Sequence, residues 1–98
     1  MAFIDQYDFD LLKNEAENLV IREIEIQLKS EPATMCRCND CIVDIAAISL
    51  NSVKPLYRFS ILGTLYASQA MTEQSYANSV KNAVSLAIKK VKKNPAHD

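Results

Sequence analysis

Glycine is nearly missing from this 98-residue chain, with a single residue of that type, and tryptophan is missing altogether. One glycine leaves no room for a glycine-rich phosphate-binding loop, which needs several positions where backbone can approach an anion closely. No apolar run approaches the ~20 residues that a membrane-spanning helix requires. The longest, around Ile42–Leu50, is interrupted by Asp44. Histidine occurs once, as His97, so any catalytic triad would depend on a residue close to the last position. The first ten residues, MAFIDQYDFD, are acidic and lack the basic and apolar regions of a secretory signal. The expectation is a soluble, cytoplasmic protein.

Positive charge is also in short supply. The formal net charge is −1, and its distribution is uneven. Residues 1–52 carry ten acids and four bases, a balance of −6; residues 53–98 carry seven bases and two acids, a balance of +5. Nucleic-acid surfaces ordinarily present a basic stripe on a basic domain. Here the excess is gathered mainly at Lys89, Lys90, Lys92 and Lys93, where cations also complement a helix C-terminus. Binding to DNA is therefore disfavoured.

What is present points to helices. Nearly half of the residues are apolar and 23% are charged, a globular composition for one domain spanning 1–98. A chain this short buries only about two-thirds of its unfolded surface, so its core is marginal. Leu12, Ala16, Leu19, Val20, Ile24 and Leu28 recur at helical spacing and predict a first helix over about 3–29. Ile21 and Ile26 lie off that stripe, and the extra apolar surface suits either an ordinary core or a homodimer interface. Pro32 disfavours helical geometry at Glu31 and ends this helix near Lys29–Ser30.

A cysteine-rich loop at 34–41 follows. Asn39 or Asp40 is a candidate N-cap for a second helix over about 40–53. Its residues Ile42, Val43, Ile45, Ala46, Ala47, Ile48 and Leu50 are apolar almost all round, which predicts a buried central helix. Pro55 and Gly63 mark residues 54–70 as irregular or extended. The β-prone runs Tyr57–Ile61 and Thr64–Ala67 suit a short hairpin or an extended segment near 55–68. Thr72 or Ser75 then caps a last helix over about 73–93, with Tyr76, Val80, Ala83, Val84, Ala87, Ile88 and Val91 as its apolar stripe.

All three cysteines, Cys36, Cys38 and Cys41, fall in the stretch TMCRCNDCIVD at 34–44. Disulfide bonding suits them poorly: the count is odd, the expected compartment is reducing, and a Cys-x-Cys ring is strained. Cys38 and Cys41 have redox spacing, but such motifs sit on a βαβ scaffold for which this sequence has no pattern. A chance cluster of thiols does not explain the polar neighbours Arg37, Asn39 and Asp40. Zinc explains both the clustering and the polarity, because soft thiolates bind it in a tetrahedron. Redox chemistry and free thiols stay as the alternatives. Three sulfurs leave one position to fill. His97 is the candidate fourth ligand; Asp40, Asp44, water or a group from another protomer are the others. Hydrolysis at an open zinc position would need a general base, for which nearby carboxylates such as Asp44 are the available groups. A structural zinc in a non-enzymatic protein is the expectation, since metal affinity adds directly to the stability of a small fold.

The order of these motifs is informative. A glutamate-rich first helix is followed by CRCNDCIVDIAAISLNSVKPLYRF and then by an alanine-rich helix ending in KKNPAHD. Together they carry Cys36, Cys38 and Cys41, the pattern Asp44, Ala46, Ala47, Leu50 and Asn51, then Pro55 and Tyr57, and Asn94, Pro95 and His97. Over nearly the whole chain this resembles the late competence development protein ComFB family. The resemblance implies a small, mainly helical, dimeric protein that binds zinc through the three matching cysteines, linked to DNA uptake. Relatives lacking the cysteine cluster look like receptors for cyclic dinucleotide second messengers.

The reading is thus a mainly α, zinc-stapled domain of three main helices, acting as a homodimer and an accessory protein of genetic competence, with other competence proteins as further partners. Two other functions are kept beside it: a sensor binding a cyclic dinucleotide, with Arg58, Lys54 and Lys81 as basic candidates for phosphate contact, and a zinc-dependent nucleic-acid-binding module.

Overall fold

Apolar residues spaced three or four apart lay out three long helices, α1 (Ala16–Leu28), α2 (Asn39–Ser52) and α3 (Gln74–Lys93). The computed structural model of the chain describes residues 2–60, 62, 65, 69 and 73–95. Ala16, Val20 and Ile24 bury one line of α1, and Cys41, Ile45 and Ser49 bury one line of α2. The stripe of α3 is buried as the sequence predicts, from Tyr76 through Val91. Alpha-helical geometry aligns residues four apart on one face, so each stripe meets its neighbours along its length. The two later helices, α2 and α3, share the largest contact, and α1 lies against both. Burying side chains such as Ile45, Ile88, Val20 and Val84 contributes about 1.5–3 kcal/mol each.

Among the described residues, Ser49 is the polar residue buried in this core. Its hydroxyl donates to the Ile45 carbonyl at 2.8 Å, so the group is satisfied within its own helix. Tyr76 is buried as well and donates from its hydroxyl to the Lys54 carbonyl at 2.7 Å. That bond pins the chain after α2 to the start of α3.

The first helix is shorter than its sequence suggests. Residues 3–15 do not continue it: two short 3-10 turns, Phe3–Gln6 and Phe9–Leu11, lead into strand β1 (Lys13–Asn14). The cause is Asn14. Its Oδ1 accepts from the N–H of Ala16 at 3.1 Å and from the N–H of Leu56 at 2.8 Å. Such side-chain bonding to local backbone competes with helix and starts a new one. Leu12, expected in the α1 stripe, is instead half-exposed at 50%.

Beyond α2, strand β2 (Tyr57–Arg58) supplies the extended segment expected near 55–68. It pairs antiparallel with β1, Lys13 opposite Arg58 and Asn14 opposite Tyr57. Within the later run at 64–67, Leu65 is described and is helical, as are Leu62 and Gln69; the remainder lies outside the described residues. Thr72, a candidate cap for α3, lies outside them too. Glu73 takes the N-cap position, and Ser75 is already inside the helix.

Helix α2 is not buried all round. Val43 is 56% exposed and Ala47 is exposed as well. The other two helices, α1 and α3, cover only part of the circumference of α2, and the molecule measures 45 × 39 × 17 Å. Its radius of gyration is 15.7 Å, against about 13 Å for a rounded domain of this length. The fold is a thin slab with one face of its central helix uncovered. Among the described residues, no helix is long and apolar enough to cross a membrane.

Candidate metal centre

The loop between α1 and α2 is held before any metal is considered. Helix α1 winds down through Lys29, Ser30 and Glu31, whose N–H groups donate to Ile26, Gln27 and Leu28 carbonyls. Pro32 then breaks the pattern, and its own carbonyl accepts from Met35 at 3.1 Å. The Arg37 guanidinium reaches back and donates to the Leu28 carbonyl at 2.8 Å and the Glu31 carbonyl at 3.1 Å. The Leu28 carbonyl belongs to the last turn of α1, and a cation suits that end of the helix dipole. Arg37 therefore anchors the loop that contains Cys36 and Cys38.

The N-cap of α2 is Cys38, with φ −70° and ψ 163°, rather than Asn39 or Asp40. Its sulfur accepts from the backbone N–H of Cys41 at 3.4 Å, the position a serine or aspartate oxygen takes in most capped helices. Cys41 lies in the first turn and is fully buried, Cys36 is half-buried and Cys38 is exposed. The three sulfurs all lie within 4.8 Å of one another. Tetrahedral zinc with sulfur at about 2.3 Å places its sulfurs about 3.8 Å apart, so a contraction of about 1 Å fits them to one ion. The donor set and the spacing suit a thiolate metal, and the positive end of α2 favours the negative charge of thiolates.

Cys36 and Cys41 also line a cavity of about 320 Å³ with Met35, Val91, Lys92 and Pro95. Lys92 closes one side of it through an ion pair with Glu31 at 2.9 Å. That pair ties the end of α3 to the end of α1, so this lysine is not part of a purely solvated helix end. Among the described residues the sulfur group takes in neither Asp40 nor Asp44, the carboxylates considered as ligands. His97 lies outside the described residues. Pro95, two residues before it, is a wall of the cavity.

Arg58, Lys54 and Lys81 are the basic residues considered for phosphate contact. Arg58 is committed to an ion pair with Glu15, which holds the Glu15 carboxyl below its ordinary pKa of 4.5, chiefly through that hydrogen bond. The backbone carbonyls of Lys54 and Lys81 accept hydrogen bonds from Tyr76 and Gln27 respectively.

Sequence comparison agrees with this architecture. The family model for the late competence development protein ComFB matches residues 13–95. The chain belongs to the ComFB family. That membership associates it with late competence development. The matched span begins at β1, takes in all three helices and all three cysteines, and stops at Pro95, so the acidic first twelve residues and His97 fall outside it. Among curated proteins, none matches the chain.

Reasoning from sequence did not reveal Arg37 and Asn14 as the residues that set the site and the start of α1. Asn14 had a local signal, an amide side chain two residues before Ala16. Arg37 had none, because its acceptors are backbone carbonyls that any residue supplies.

Proposed function

We propose that this ComFB-family chain is a zinc-stapled, non-enzymatic accessory protein of late competence that works in the cytoplasm as a homodimer. The observation that carries the metal reading is the convergence of the Cys36, Cys38 and Cys41 sulfurs within 4.8 Å. Zinc bound there would join the loop after α1 to the first turn of α2. Its affinity would add to the stability of a fold whose core is small. His97 is the proposed fourth ligand: Pro95 lines the cavity beside Cys36 and Cys41, and two further residues reach about 7 Å. A closed set of three thiolates and one imidazole leaves no position for substrate, which is the condition for a structural rather than a catalytic metal.

Self-association is supported by the thin slab and by the uncovered Val43 and Ala47 on α2, since large apolar groups left open on one face mark an interaction surface.

Cobalt substitution tests the site directly. Titration of the metal-free chain with Co²⁺ is expected to give tetrahedral d–d bands and thiolate charge-transfer absorption of three-sulfur intensity. In His97→Ala the d–d bands should shift while the charge-transfer intensity holds. Octahedral spectra without charge transfer would refute the thiolate site, and identical spectra for His97→Ala would remove the histidine from it.

A further inference from the structure

The acidic arm that precedes β1 is the least explained part of the molecule. Residues 2–12 bury nothing, and Phe3, Ile4, Tyr7, Phe9, Leu11 and Leu12 are all about half-exposed or more. The rings of Phe3, Tyr7 and Phe9 nonetheless gather, with centroids 5.0 and 6.3 Å apart. Phe59, itself 70% exposed, extends the same surface across a groove shared with Tyr7, Phe9 and Leu12. Asp8 lines that groove, Asp5 and Asp10 lie in the two 3-10 turns that carry the rings, and among the described residues none of the three makes an ion pair. This is an ordered, aromatic and acidic surface without a cover.

Its chemical complement is on the same chain. The outward face of α3 carries exposed Leu86 with Lys89, Lys90 and Lys93 three, four and seven residues on, all on one side of the helix. Among the described residues these three lysines form no ion pair, in contrast to Lys92. The chain's own arm is badly placed to reach them. It enters α1 at its first residue, whereas the lysine end of α3 is tied by Lys92 and Glu31 to the far end of α1. Thirteen helical residues separate those ends by about 20 Å.

We infer that the acidic aromatic arm of one protomer docks on the Leu86–Lys93 face of α3 in a second copy, and that two such contacts close a two-fold dimer. Apolar contact is made between the Phe3, Tyr7 and Phe9 cluster and Leu86, and the three aspartates meet the three lysines. A two-fold pairing satisfies both arms at once and leaves neither face open for a third copy. The inference rests on the proposed homodimer and adds the arm and the outward face of α3 to the uncovered face of α2 as surfaces that form it. It also gives the opposed charges of the two halves of the chain a use, since complementary charge fixes register and partner.

Sedimentation equilibrium on the full chain at low salt tests it with two charge-reversed variants, one carrying Asp5→Lys, Asp8→Lys and Asp10→Lys, the other Lys89→Glu, Lys90→Glu and Lys93→Glu. Each alone is expected to self-associate at least tenfold more weakly than the native chain, with unchanged helical circular dichroism. Mixed in equal amounts they should form a heterodimer, because both arm-to-helix contacts are then again of opposite sign. A mixture that stays monomeric overturns the docking, as does either variant dimerising like the native chain. A native chain that is itself monomeric overturns this inference together with the homodimer, whereas native dimers indifferent to charge reversal overturn the docking alone.

Discussion

The sulfur of Cys38 accepts the backbone N–H of Cys41 at 3.4 Å, so one member of the cysteine cluster caps the helix on which another is carried. Cap and proposed metal ligand are therefore the same atom, and the two roles can be separated by substitution. Cys38→Ser keeps a capping oxygen while losing a thiolate. Metal-free Cys38→Ser is expected to unfold at about the same temperature as the metal-free native chain, yet to bind zinc far more weakly. Cys38→Ala loses both functions, with a further cost of about 1 kcal/mol in the metal-free state. Thermal melts with and without a chelator check this, and a serine variant with native zinc affinity would refute a role for that sulfur.

Arg37→Ala removes two hydrogen bonds, to the Leu28 and Glu31 carbonyls. The expected loss is about 1 kcal/mol in the metal-free protein, plus weaker metal binding because the loop is no longer held to the end of α1. Chemical denaturation and a competitive zinc titration measure the two effects. A variant unchanged in both would mean that the loop is ordered without this anchor.

Asn14→Ala leaves the N–H groups of Ala16 and Leu56 without their shared acceptor. A loss of about 1–2 kcal/mol is expected in denaturant unfolding. Asn14→Asp, which keeps an acceptor oxygen, should recover most of it. An alanine variant as stable as the native chain would contradict the account of where α1 begins.

Acid should weaken the molecule partly through Glu15. Its carboxyl is held below the ordinary 4.5 chiefly by the hydrogen bond from Arg58. A lowered folded-state pKa means the contribution is complete above 4.5 and is lost as pH falls through the lower folded value. Arg58 is exposed and Glu15 half-buried, so the effect is small and partly screened by salt. As pH falls below 4.5, stability of the Arg58→Ala variant should fall less steeply than that of the native chain. Parallel slopes would show that the pair does not contribute.

Helices α2 and α3 were legible because each is specified locally, by an apolar stripe and a nearby stop. Observed bounds of Asn39–Ser52 and Gln74–Lys93 lie within about a residue of those read from the pattern. The end of α1 was legible from Pro32. Its beginning was not, because Asn14 is fixed partly by Leu56, 42 residues away, and nothing in the local pattern shows that pairing. Residues 3–12 looked like the start of the same helix, with Leu12 in its stripe, and their exposure follows from a break in the helix rather than from their composition. In the cysteine cluster, spacing alone indicated convergence, and the structure brings the three sulfurs together. The cap formed by Cys38 was hidden, since asparagine and aspartate beside it are the commoner choices.

The central claim is most directly tested by the metal content of the untagged chain as purified. Elemental analysis should give about one zinc per chain, with chelation lowering the melting temperature and added zinc restoring it. Protein that carries no zinc, takes up none when it is supplied, and melts at the same temperature with or without chelator would contradict the account.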